Sequence, residues 1–201
     1  GCKRILMSND YYPALAQDHV EVINHGISSV DQSGLTDSTG THHDADVIIY
    51  GTGFKATDFL TPMTITGRDG ADLNAVWKDG AEAYLGITVR GFPNLLMLYG
   101  PNTNLGHNSI IYMLESQIHY ILQCVAQMDE QDIKALEVRD RVQDEFNKTV
   151  QDKISNTVWD KGCHSWYKTE SGKNTNNWPG FTFDYRRQTR TLDLSDYDLL
   201  R

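Results

Sequence analysis

The chain has 201 residues, 39% of them hydrophobic and 22% charged, which is the composition of a folded globular protein and not of a disordered one. Its formal net charge of −9 argues against nucleic acid or an anionic membrane surface as a partner, because both select positive charge. The three cysteines, Cys2, Cys124 and Cys163, are odd in number and far apart, so they read as free thiols of a reducing, cytoplasmic setting.

Residues 19–23 (His-Val-Glu-Val-Ile) alternate and are β-branched, which predicts a strand. Residues 27–30 and the polar turn around Asp31 and Gly34 predict a hairpin. The continuous apolar run at residues 46–50, Asp-Val-Ile-Ile-Tyr, has the pattern of a strand covered on both faces, as in a parallel sheet, and it stops at Gly51-Thr52-Gly53-Phe54. Residues 61–80 read as loops, and residues 85–89 as a further strand. A second apolar run, residues 95–99, ends at Gly100-Pro101-Asn102.

A helix is predicted over residues 109–128, with Ile110, Leu114, Ile118, Ile121, Val125 and Met128 forming one apolar stripe. Glu115, Gln117, His119 and Gln123 within it exclude a membrane span. A second helix is predicted over about residues 141–158, with Asp140 as its cap and Gln143 completing a capping box. Val142, Phe146, Val150, Ile154 and Val158 line its apolar side. Residues 161–177 read as a long loop with aromatic anchors, bordered by Trp159 and Trp178, and the alternation of Phe181, Phe183 and Tyr185 predicts a last half-buried strand.

Two places invite chemistry. Strands that end in glycine turns present backbone to a ligand at the carboxyl edge of an α/β sheet. Gly51-Thr52-Gly53 is such a turn, though a plain tight turn reads the same way. The segment from Gly100 to Ser109 leads straight into a helix, whose free N–H groups suit an anionic or electron-rich ligand; a loop that merely caps the helix fits equally. His42-His43-Asp44 with Asp46 has the residue types of a metal site, but neighbours in a strand point to opposite faces, and no metal is expected. Cys163-His164 suggests a thiol–imidazole pair, but neighbours in sequence seldom face each other, and His107 is read as having a structural or helix-start role.

The order of these segments resembles a family. Gly1-Cys2-Lys3-Arg4 and Ser8-Asn9-Asp10-Tyr11-Tyr12-Pro13 resemble the stretch that re-enters the FAD domain of flavin-binding monooxygenases. The run from Asp46 to Phe54 is similar to their second glycine motif, with Gly51 where Ala is usual. Tyr84-Leu85-Gly86, Gly91-Phe92-Pro93-Asn94 and Gly100-Pro101-Asn102 continue the likeness. Ser165-Trp166-Tyr167 and Gly172-Lys173 resemble the mobile C-terminal loop of the Baeyer–Villiger type.

The resemblance implies an α/β chain, an incomplete Rossmann-like FAD-binding segment followed by C-terminal helices and a long aromatic loop. Residues 1–128 would close the FAD-binding domain, and residues 129–201 would supply a helix, the mobile loop and a closing strand. It implies FAD and NADPH as cofactors. The substrate would be a small ketone, oxygenated through a peroxyflavin to an ester or lactone, or a soft heteroatom. Thr52, Gly53 and Phe54 would lie near FAD, Ser109 and Ile110 against the flavin ring, and Trp166 toward the nicotinamide ribose and substrate. No Gly-x-Gly-x-x-Gly occurs in the chain. Both dinucleotide fingerprints and the main catalytic residues are therefore expected upstream, and the chain alone is expected to be inactive and to hold neither cofactor tightly. A start at Gly1 fits a C-terminal fragment. The competing expectation is a non-catalytic binding or assembly domain that kept the flavoprotein fold.

Overall fold

The computed structural model describes residues 6–162 and 165–201. Cys2, the Gly1-Cys2-Lys3-Arg4 motif and the Cys163-His164 pair lie outside the described residues. The chain is mixed α/β. It divides into two compact units, one ending at Phe54 and the other running from Lys55 to Arg201. The division expected at residues 128 and 129 falls inside the second unit.

The first unit contains a short helix, α1 (Tyr11–Leu15), and three antiparallel strands in sequence order, β1 (Ile27–Val30), β2 (Gly34–Asp37) and β3 (His42–Asp44). The expected hairpin is present: β1 pairs with β2, with Val30 opposite Leu35. Asp31 closes its turn by accepting from the Ser33 and Gly34 N–H groups at 2.8 and 3.2 Å.

Two expected strands do not form. Residues 19–23 are irregular, with Val22 61% exposed. Alternation makes a strand only where cross-strand partners exist, and none pairs with this stretch among the described residues. The run at residues 46–50 is also irregular, with Val47, Ile49 and Tyr50 73–89% exposed. A run of this pattern needs neighbours on both edges and cover on both faces.

The second unit is built around three apolar clusters. In the first, a short helix α2 (Leu73–Val76) and Trp77 pack with Val89, Phe92 and Met97. This helix was not expected in residues 61–80; its signal was Asp72, whose side chain accepts from the Asn74 N–H at 3.0 Å as an N-cap. Strand β4 is only Thr88–Val89, and β5 is Phe92–Leu96. Residues 84–87 turn instead of extending, because Leu85 and Gly86 take φ of 56° and 65°. The apolar run expected to be a strand at residues 95–99 leaves β5 after Leu96, and Tyr99 is left-handed at φ 58°.

The long helix α3 (Ile110–Glu130) confirms the strongest helical pattern in the sequence. Its buried side is not the expected stripe: Met113, Gln117, Tyr120 and Cys124 face the core, spaced four, three and four apart as one face demands. Tyr120 and Cys124 join Leu85 and Ile87 with Leu136 and Val138 of strand β6 (Ala135–Val138) and Tyr197 of strand β7 (Tyr197–Leu200). Strands β6 and β7 form an antiparallel pair, Leu136 opposite Leu199. Neither was expected, since each is only four residues long.

Helix α4 (Asp140–Ile154) begins one residue earlier than expected and ends before Val158, which is 64% exposed. Asp140 is its first helical residue and not its cap. Arg139 takes the cap position without a side-chain bond, and Asp140 contributes charge at the positive helix end instead. Gln143 does not reach back to the helix start: its Oε1 accepts the Arg90 N–H at 2.9 Å.

The last expected strand is a helix, α5 (Thr182–Gln188). Thr182, Tyr185 and Thr189 are buried while Phe181 and Phe183 are exposed, so the period is helical and not two. The alternating aromatics misled because Phe181 and Phe183 stack on each other, centroids 5.2 Å apart, outside the core.

Candidate functional site

Thr52, Gly53 and Phe54 stand in the first unit, all exposed, with Phe54 96% so. Gly53 has φ +83°, and a Cβ built there would meet nothing within 4 Å. The turn thus offers bare, left-handed backbone to whatever approaches.

Ser109 and Ile110 stand in the second unit at the start of α3. Ser109 is the N-cap by backbone geometry, φ −76° and ψ 125°, yet its hydroxyl makes no capping bond. Its own N–H is held by the Asn108 side-chain oxygen at 2.7 Å, and Asn108 donates to Thr182 Oγ1 at 3.0 Å. Residues 106–109 are exposed. A 21-residue helix therefore opens at the surface, with first-turn N–H groups that have no intrahelical partner. His107 lies beside this start and stacks on Trp159 at 6.5 Å.

The turn feeding α3 is fixed by close backbone approach. Gly86 and Gly100 face each other: a Cβ on Gly86 would run into Thr103 and the Pro101 carbonyl, and one on Gly100 into the Gly86 carbonyl. This is the physical reason for glycine at both positions. Buried Asn102, at φ 58°, ties the turn to the loop beyond α4. Its N–H donates to the Thr175 carbonyl at 2.8 Å, and its amide donates to the Asn174 and Asn177 carbonyls at 2.9 and 3.1 Å. The Asn104 N–H donates to the Asn176 carbonyl, and the Trp178 N–H to the Asn104 carbonyl, both at 2.9 Å.

Trp166 rides on that loop. It is 42% exposed and lies against the buried Tyr167 ring, centroids 4.5 Å apart. Trp178, at the border of the loop, is 2% exposed and packs edge-on against Tyr185.

Sequence reading missed several positioning residues. Asn94 acts as a strand in miniature, accepting the Leu136 N–H at 3.0 Å and donating to the Lys134 carbonyl at 2.9 Å, so it joins β5 to β6. Buried Glu137 accepts the Gly91 N–H at 2.9 Å and pairs with Arg68 at 3.2 Å. The Gly91-to-Asn94 motif is thus at least partly structural. Tyr84 donates to Asp196 at 2.8 Å, and the Tyr120 and Tyr197 hydroxyls meet at 2.9 Å. Burial, first of all, raises the pKa of these phenols, and it pushes the Cys124 thiol up to about 12. These shifts mark packing and not a reactive centre, since the groups face the core.

The histidine–aspartate cluster resolves into separate pairs. His42 pairs with Asp31 and Asp44, both at 3.3 Å, and His43 with Asp37 at 3.1 Å. Thr39 and then His43, hydrogen-bonded to Asp37, hold its carboxyl well below the usual carboxylate range. Among the described residues no group of three or more ligating side chains could hold a metal.

Comparison with known proteins places this arrangement. No family model matches the chain. A Baeyer–Villiger monooxygenase of Pseudomonas aeruginosa is 49% identical over 201 residues, 99% of this chain and 38% of the relative. One of Streptomyces coelicolor is 45% identical over 210 residues, covering 100% of the chain and 39% of the relative. Over essentially its whole length the chain is thus similar to part of these Baeyer–Villiger monooxygenases. Solved structures agree on the fold. An oxidised steroid monooxygenase bound to NADP superposes with TM-score 0.83 at 25% identity, over 100% of this chain and 39% of its own. Cyclohexanone monooxygenase from Rhodococcus sp. Phi1, bound to NADP+, gives 0.84 at 26%, over 99% and 39%. The chain thus spans about two fifths of the length of the relatives it matches. No helix among the described residues is long and apolar enough to cross a membrane.

Proposed function

We propose that this chain works as the C-terminal part of an FAD- and NADPH-dependent monooxygenase that inserts one oxygen of O₂ into a small ketone, giving an ester or lactone, or oxygenates a soft heteroatom. The observation that carries the reading is the match of essentially the whole chain, at 49% and 45% identity, to relatives named Baeyer–Villiger monooxygenases. FAD, when bound, would supply the reduced flavin that activates O₂.

The residues present fit part of such a group. The open start of α3, with the unused Ser109 hydroxyl and Ile110 beside it, suits the electron-rich edge of a flavin ring, since helix N–H groups and the helix dipole favour negative charge there. In the first unit, the turn of Thr52, Gly53 and Phe54, with open space around the left-handed Gly53, leaves its backbone free to meet a ligand such as FAD. Partly exposed Trp166 carries an indole N–H on a loop anchored at Tyr167, and is assigned to the nicotinamide ribose and substrate. None of these segments supplies an adenosine cradle, and the chain has no Gly-x-Gly-x-x-Gly. The isolated chain is therefore expected to bind FAD weakly and to turn over no NADPH.

The test joins this chain to the portion of the Pseudomonas aeruginosa relative that lies outside the matched stretch. The joined protein is expected to consume NADPH and convert cyclohexanone to its lactone, while the chain alone with added FAD stays at background. In the joined protein Trp166→Ala should keep FAD content and melting temperature but lower kcat/KM for NADPH several-fold to about tenfold, the worth of one hydrogen bond at about 0.5–1.5 kcal/mol. NADPH consumption by the chain alone would overturn the first expectation. An early-melting Trp166→Ala variant would make Trp166 a packing residue.

A further inference from the structure

Helix α3 is apolar over far more of its circumference than its own unit uses. At 100° per residue, Met113, Gln117, Tyr120 and Cys124 fall on the buried side. Ile111, Ile118, Leu122 and Val125 fall together on the opposite side, where they are 58, 44, 62 and 52% exposed. Leu114 and Ile121, both half-buried, lie between the two sides and extend the apolar arc. An apolar arc that runs from the buried side onto the opposite one is wider than the single stripe of a surface helix. Charge bounds this patch: Glu115, one turn from Ile111, pairs with Arg186 at 3.0 Å, and Asp129 follows Val125 one turn on.

We propose that this outer face of α3, Ile111, Ile118, Leu122 and Val125, is the docking surface for the part of the enzyme that the relatives carry beyond the matched stretch, and that the partner presents an uncharged apolar layer to it. Two observations choose this occupant. The chain spans only 38–39% of those two relatives, so well over half of their length has no counterpart here to cover the face. The face is also small for a second copy of this chain. At roughly 60–120 Å² of apolar area per fully buried side chain, four side chains offer about 240–480 Å², short of the roughly 800 Å² per partner of a stable interface. As one layer of a continuous domain core it needs no such minimum. The first unit carries the same signature independently, in the uncovered run of Val47, Ile49 and Tyr50.

The proposal rests on reading the chain as part of a longer enzyme, and its test uses neither cofactor nor turnover, so the two can fail separately. The tagged 201-residue chain is co-expressed with the untagged remainder of the Pseudomonas aeruginosa relative, and the captured remainder is quantified. The double substitution Ile118→Gln and Leu122→Gln is compared with the unsubstituted chain and with Lys148→Glu on the exposed side of α4. Capture by the unsubstituted chain and by Lys148→Glu, reduced at least tenfold by the double substitution, is the expected result. The melting temperature of the chain alone should stay within about 2 °C, as for surface changes. Absence of capture by the unsubstituted chain, or capture indifferent to the double substitution, overturns the proposal. So does early melting of the substituted chain alone, which would place the face inside its own core. A dimer of the chain that the double substitution dissolves would assign the face to a second copy instead.

Discussion

The two units are held together by different physics. In residues 6–54 the only buried residues are Gly34 and Asp37. The β-meander there is organised by a polar web: Asp37 Oδ1 accepts the Thr39 and Thr41 N–H groups at 2.8 and 3.1 Å and the Thr39 hydroxyl at 2.6 Å, while Oδ2 meets His43. From Lys55 onward, three apolar clusters form a core in which Trp178, Tyr120, Tyr185 and Tyr197 are almost wholly enclosed. The contrast shows what an apolar run is worth without layers to cover it. Val47, Ile49 and Tyr50 are as apolar as Leu85 and Ile87, yet the latter are at most 2% exposed and the former at least 73%.

The largest break in this comparison should come from Trp178→Ala. Removing a buried Trp costs about 3–5 kcal/mol, enough to open the second unit. Cys124 reports on it: buried, with its thiol pushed up to about 12, it should react with a thiol reagent more than a hundredfold slower than an unfolded cysteine near pKa 8.5, and the substitution should abolish that protection. Amide exchange in residues 27–44 should not change. Equal loss of protection in both regions would mean that they unfold as one.

Acid should act on the first unit. The Asp37 carboxyl is depressed when folded, and Asp31 is lowered to about 2, chiefly by hydrogen bonds from Ser33. A carboxyl depressed on folding adds stability that is complete above its unfolded value near 3.9 and is lost as pH falls through the folded value. The amides of residues 27–44 should therefore lose protection between about pH 4 and pH 2, before those of α3, and Asp37→Asn should lose it already at neutral pH. Hairpin protection unchanged down to pH 2 would refute the polar web as its support. The smallest effect is expected of Ile49→Thr: as a change at an exposed position it should shift stability of this chain by no more than about 0.5 kcal/mol, measured by denaturant melt. A larger loss would show that the run is covered after all.

How far the residues alone foretold the fold depended on range. The hairpin at Asp31 and the helices around residues 110 and 140 were legible because turn chemistry and a repeated apolar period act within a few residues. Thr52, Gly53, Phe54, Ser109, Ile110 and Trp166 became candidates only through resemblance to a family, and their exposure was not readable from spacing. Where only partners decide, the reading failed. Residues 46–50 have a buried strand's composition but no strand beside them, and residues 181–185 alternate yet coil, because Tyr185 sends its hydroxyl to the Leu85 carbonyl at 2.5 Å, a residue 100 positions away.

The sequence by itself determined the family resemblance, the α/β class, the long amphipathic helix and the glycines at residues 86 and 100. Only the tertiary structure decided which side of α3 is buried, that Asn94 joins β5 to β6, and that Asn102 binds the Trp166 loop to the turn before α3. The reason is physical. Local pattern states how much apolar surface a segment must cover, whereas the direction it faces is chosen by the packing and hydrogen bonds of residues far away in the chain.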